Sequence, residues 1–201
     1  MSKLTKKKKF SERRDEILST TIHTLANDGY RSVSMRGIAD RVGVHLSTIQ
    51  YYFPTKRDLL KSTIEKSIGS MVRMMDDMIL NSTLAPGKIL QKALKIHIEA
   101  CHDPMIARLF VELWSMASHD EDTNRLLSEL YQHDCQRYAA LIQSVNPGLS
   151  KRNCEKRAVL ILAQLEGLVL FISPGKPFES SARVIEKQLW EQIHTLTNVP
   201  S

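Results

Sequence analysis

The chain has 201 residues, 42% of them hydrophobic and 25% charged, which gives room for one small headpiece and one larger core domain. No apolar run approaches the ~20 residues of a membrane span, and no apolar segment follows the N-terminal lysines, so the expectation is a cytoplasmic protein with no membrane partner. The net charge of +6 is concentrated at one end: residues 1–57 hold 12 Lys/Arg against 5 Asp/Glu, and residues 58–201 hold 16 against 17. That asymmetry suits a polyanion-binding module joined to a near-neutral domain.

Lys3 to Lys9 read as a basic, solvated tail that can also reach a neighbouring DNA groove. A scaffolding helix is expected from Phe10 or Ser11 to about Asp28, with Ile17, Leu18, Thr21, Ile22 and Leu25 inward and Gly29 ending it. Tyr30, Val33 and Met35 should pack the loop that follows. Ser34 can cap a second helix with Met35, Ile38, Ala39 and Val42 at helical spacing, which Gly43 stops. After a tight turn, Ser47 can cap a short third helix on which Ile49 and Phe53 face inward while Thr48, Gln50, Tyr51 and Tyr52 project outward. Pro54 closes it. Thr55 caps a long helix beginning at Lys56, which runs without Gly-Pro punctuation past Ile64, Ile68, Met71, Met75 and Met78.

Two short helices joined by a glycine turn form the unit that lays its second helix in a major groove. The segment IADRVGVHLSTIQYYFPTKRDLL resembles the DNA-binding segment of the TetR family of bacterial repressors and matches most of its fixed points. The match covers about a quarter of the chain once the preceding helix is included. It implies an all-α homodimer with an N-terminal three-helix helix-turn-helix headpiece joined to a helical ligand-binding and dimerisation domain. We expect the division at 1–57 and 58–201.

Arg36, His45, Ser47, Thr48, Gln50, Tyr51, Tyr52 and Lys56 are the candidate contacts to a double-stranded operator. Arg36 can fork onto guanine and Gln50 can pair with adenine, while Thr48, Tyr51, Tyr52 and Lys56 suit phosphates. The resemblance supports Arg36, Tyr52 and Lys56. It breaks at Gln50 and Leu46, which leaves the operator sequence open.

Beyond the headpiece, helical spacing continues after NSTLAPG through Ile89–Cys101, again after Asp103-Pro104 through Trp114, and after SHDED through Ile142. Met71, Met75, Met78, His97, Cys101, Phe110, Trp114, Tyr131, Cys135 and Tyr138 are candidates to line an adaptable effector cavity, though such stripes also make plain core. The penultimate helix, ~150 to 173, is apolar on more than one face and so needs burial on two sides. Its QLEGL stretch resembles the dimer-forming segment of TetR-type proteins, implying Leu162, Leu165, Gly167, Leu168, Val169, Ile185 and Leu189 at a subunit interface.

Cys101, Cys135 and Cys154 are odd in number with no CxxC spacing, so free thiols are expected. His97 and Cys101 share a helix face, but no third ligand is identifiable and no metal is expected. No catalytic motif stands out, so neither an enzyme nor a cofactor is expected. A ligand-independent DNA-binding protein with a filled core is the alternative.

Overall fold

The computed structural model describes residues 3–198. Among these the chain forms nine α-helices, two short 3-10 turns and no strand: α1 Lys3–Asp28, α2 Met35–Val42, α3 Leu46–Tyr52, α4 Lys56–Leu80, α5 Pro86–His102, α6 Pro104–Ala117, α7 Glu121–Val145, α8 Lys151–Phe171 and α9 Ala182–Asn198. Helix α1 begins well before the expected Phe10 or Ser11. Lysine is a good helix former and no Gly or Pro interrupts residues 3–10, so nothing stops propagation toward the N-terminus.

The remaining boundaries follow from local chemistry. The Ser34 hydroxyl accepts the Gly37 amide at 3.0 Å and caps α2. Gly43 ends α2 in the left-handed region, φ 71°, where a side chain is costly. Thr55 and Asp58 form a reciprocal cap on α4: the Thr55 hydroxyl accepts the Asp58 amide at 3.1 Å, and the Asp58 carboxylate accepts the Thr55 amide at 3.0 Å. Asp103 accepts two first-turn amides of α6, and Asp120 accepts the Thr123 amide and hydroxyl in α7. One expected cap is corrected. Helix α3 starts at Leu46 with His45 as its cap and no side-chain cap bond, which leaves Ser47 inside the first turn. The Thr48 amide bonds back to the His45 carbonyl, so the helix closes two residues earlier than the Ser47 cap would require.

The chain divides into two compact units, and the divide falls inside α4, α6 and α7. The first comprises residues up to Met71 together with Arg108–Leu127. Its core is built from Ile17, Leu18 and Leu25 of α1, Ile38 of α2, Ile49 of α3 and Leu59 of α4, with Val33 and Phe53 beside them, all at most 2% exposed. Tyr30, expected in this packing, is 41% exposed. The second unit comprises Val72–Ala107 and Ser128–Ser201. Ala93 and Leu94 of α5, Tyr138 and Ile142 of α7, and Ala158, Ile161 and Leu165 of α8 fill its centre, each at most 2% exposed.

Arg137 is the polar hub of the second unit. Its guanidinium donates to Asp76 Oδ1 at 3.0 and 2.8 Å and also binds Asp134, with His133 completing the set on Asp76. Asp134 is buried. Burial pushes its carboxyl above the ordinary range and outweighs the opposing pull of Arg137. Asp76 lies nearer water; burial would raise it too, but the hydrogen bonds from Arg137 and His133 hold it below the ordinary range.

Candidate nucleic-acid interface

In the first unit, α2 and α3 are joined by Gly43–His45, and the buried Ile49 and Phe53 fix which side of α3 faces inward. The opposite side is open. Arg36, His45, Ser47, Gln50 and Tyr51 are exposed, Tyr51 at 72%, while Thr48, Tyr52 and Lys56 are half-buried. The sequence-predicted residues thus fall on one helix, its cap, the start of α2 and the start of α4. The chemistry on offer is hydroxyl, amide, phenol and guanidinium donors, with Lys56 at the positive end of α4.

Three supporting contacts were not anticipated. Phe10 packs against Tyr52 at 4.5 Å between ring centroids and against Tyr51 at 5.9 Å edge-on, tying α1 to the C-terminal end of α3. Lys56 Nζ lies 4.3 Å from the centroid of the Tyr30 ring, a cation–π contact. Partial burial lowers the Lys56 pKa. The signal for Phe10 was a lone exposed aromatic closing a lysine run; nothing local pointed to the Tyr30–Lys56 pair.

The end of α1 is latched to α6 within the same unit. Arg108 donates to the Ala26 carbonyl at 3.1 Å and to Asn27 Oδ1 at 2.7 Å, and Glu112 accepts the Tyr30 amide at 2.9 Å. These bonds satisfy carbonyl and amide groups exposed where α1 stops.

The effector candidates are distributed over both units. Met71, Phe110 and Trp114 belong to the first unit, with Phe110 and Trp114 6.1 Å apart; Met75, Met78, His97, Cys101, Tyr131, Cys135 and Tyr138 belong to the second. In the second unit His97 Nε2 lies 3.2 Å from Glu166 Oε1, and its Nδ1 lies 3.5 Å from the Tyr138 hydroxyl. The Cys101 thiol is 3.4 Å from the His97 carbonyl. Burial pushes that thiol up to about 12 and also raises the Tyr138 phenol. His102 turns away to Glu186, and no metal-binding cluster of three occurs among the described residues.

The expected dimer residues divide by face. Leu162, Leu165, Leu168, Val169 and Leu189 are buried in the single chain, and Gly167 and Ile185 are half-buried. The exposed apolar stripe of α8 is instead Val159, Leu160, Leu170 and Phe171, each 48–53% exposed, with Val184 of α9 at 66%. A Cβ added at Gly167 would meet nothing within 4 Å. The sequence established that α8 carries two apolar faces, but not which one packs on its own chain.

Residues 17–63 match the sequence profile of bacterial regulatory proteins of the tetR family. Over 58 residues the chain is 43% identical to the HTH-type transcriptional repressor KstR of Mycobacterium tuberculosis, an alignment covering 29% of this chain and 26% of that protein. The chain therefore matches about a quarter of that relative's length. Among solved structures, a transcriptional regulator from Saccharomonospora viridis in complex with choline superposes with a TM-score of 0.79 at 21% identity, over 92% of this chain and 96% of the other. A TetR transcription regulator from Haloarcula marismortui superposes at 0.74 and 18% identity, over 94% and 97%. These two likenesses extend the shared fold across nearly the whole chain.

Proposed function

We propose that this chain, which belongs to the tetR family of bacterial regulatory proteins, is a DNA-binding transcriptional repressor that acts as a homodimer and leaves its operator when a small molecule binds. The observation that carries the reading is the α2–Gly43–α3 unit: Ile38, Ala39 and Ile49 are buried on its inward side, and its outward side presents Gln50, Tyr51 and Ser47 beside Arg36 and Lys56. Residues of these types on a helix this short reach base edges and both flanking phosphate strands. In a two-fold dimer, two such helices read half-sites about 34–36 Å apart or a multiple of that distance.

The dimer reading is supported by the apolar stripe on α8. Val159, Leu160, Leu170 and Phe171 recur at helical spacing, and a bare Gly167 between them permits close helix approach. Large apolar side chains left exposed on a helix that also packs its own core support an interaction surface there. Leu160→Glu places a charge in that face and leaves the chain's own core untouched. Light scattering should report a dimer for the wild type and a monomer for the variant.

Release by a ligand is supported by the latch on α6, because the same helix that holds Ala26, Asn27 and Tyr30 can pass a change of its position to the headpiece. The choline bound by the S. viridis neighbour points to small-molecule binding on this architecture. In selection from random duplexes, the protein should recover an inverted repeat. A thermal-shift screen that includes quaternary ammonium compounds should find a ligand that stabilises the protein by ~2.7 kcal/mol at a hundredfold excess over its Kd and weakens that complex. A screen with no stabilising compound favours the filled-core, ligand-independent alternative.

A further inference from the structure

The first unit contains a cleft of about 670 Å3 that the DNA-binding reading does not use. Its volume lies within the ~300–1,000 Å3 of small-molecule sites. The inner wall is apolar, formed by Leu60 and Ile64 of α4 and Met116 of α6, which are 6%, 2% and 9% exposed. The mouth is basic, with Arg31, Lys56 and Lys61 on its rim. The carboxylates that also face it have local duties: Asp122 holds Arg57 and Arg125, and Asp120 caps α7 through Thr123. With the Arg57–Asp122 pair neutral overall, three cations remain on the rim against Asp120.

We propose that this cleft binds an amphiphilic anion, its acidic head on Lys56, Lys61 and Arg31 and its apolar body against Leu60, Ile64 and Met116. Inorganic phosphate or a stretch of DNA backbone would satisfy the rim but leave the apolar wall wet, so the recessed wall selects a ligand with both parts. Lys56 serves two sites under this assignment. An occupant that engages it withdraws a phosphate contact from the operator, so the cleft antagonises DNA binding from inside the headpiece unit. That consequence rests on the DNA-binding reading; the binding itself does not.

The test uses the full chain with anilinonaphthalene sulfonate as the anionic probe and phenylnaphthylamine, the same apolar body without the sulfonate, as the neutral control. Methyl-labelled methionine lets Met116 report occupancy without mutation. Expected are saturable sulfonate binding with a shifted Met116 methyl resonance, clearly weaker binding of the neutral analogue, and a loss of about tenfold in sulfonate affinity in Lys61→Glu and in Arg31→Glu, the scale of one charge-assisted bond. The probe should also weaken binding of a selected operator duplex by the wild type and have little effect on Lys61→Glu. Absence of probe binding, an unmoved Met116 signal, or sulfonate affinity unchanged in both charge reversals overturns the site. Loss of DNA affinity in Lys61→Glu without probe binding assigns the rim to the DNA backbone and overturns it as well.

Discussion

Replacing Arg137 by methionine tests the reading of the second unit's polar hub. The Arg137 side chain is 6% exposed and serves two carboxylates, Asp134 at 12% and Asp76 at 35%. Methionine fills most of the volume but leaves Asp134 buried without its cation. Removing one partner of a buried ion pair costs about 3–5 kcal/mol. With a urea dependence of ~2–3 kcal/mol/M, the unfolding midpoint should fall by roughly 1–2 M at pH 7. The pH dependence carries its own sign. Asp134 has a folded-state pKa raised by burial, so its contribution is fully present below the unfolded value of ~3.9 and is lost as pH rises through the folded pKa. Loss of Arg137 raises that pKa further, which concentrates the penalty near neutral pH and shrinks it on acidification toward pH 5. Asp76 behaves oppositely: its depressed pKa gives stability above ~3.9 that is lost on acidification, and its exposure keeps that contribution small. Adding Asp134→Leu should recover most of the loss. Urea unfolding followed by circular dichroism at two pH values provides the data. A single variant within ~1 kcal/mol of the wild type, or a penalty that grows on acidification, would refute the reasoning.

Two further outcomes follow from local geometry. Ser34→Ala should cost about 1 kcal/mol and Ser34→Gly only a few tenths, since the lost hydroxyl caps Gly37 at 3.0 Å; thermal melts of the two variants check the order. In native alkylation at pH 8 followed by mass spectrometry, half-buried Cys135 should be labelled before Cys101, whose thiol burial pushes up to about 12; equal rates would contradict the assigned burial.

The sequence made the headpiece legible because its determinants are local. Ser34, Gly43, Pro54 and Thr55 act on the backbone within about one helical turn, and Ile49 and Phe53 declare the inward side of α3 by spacing alone. Contacts between distant residues were not legible. Phe10 meets Tyr52 across 42 positions, and Arg137 meets Asp76 across 61. The start of α3 after His45 was not legible because that residue makes no side-chain cap bond and is not of a capping type, whereas Ser47 two positions later is. The division of α8 into an inward face at Leu162, Leu165 and Leu168 and an exposed one at Leu160 and Phe171 depends on where α5 and α9 pack, which periodicity does not encode.

The most direct test of the central claim is the salt dependence of binding to an operator selected from random duplexes, followed by fluorescence anisotropy for the wild type, for Lys56→Ala and for Arg36→Ala combined with Tyr52→Phe. A dimeric headpiece that neutralises ~6–10 phosphates should lose roughly 10³-fold or more in affinity between 50 and 200 mM salt. Lys56→Ala should flatten the slope by about one per subunit, and the double variant should abolish sequence-selective binding. Unchanged selective binding in the double variant, or no salt dependence in the wild type, would contradict the account.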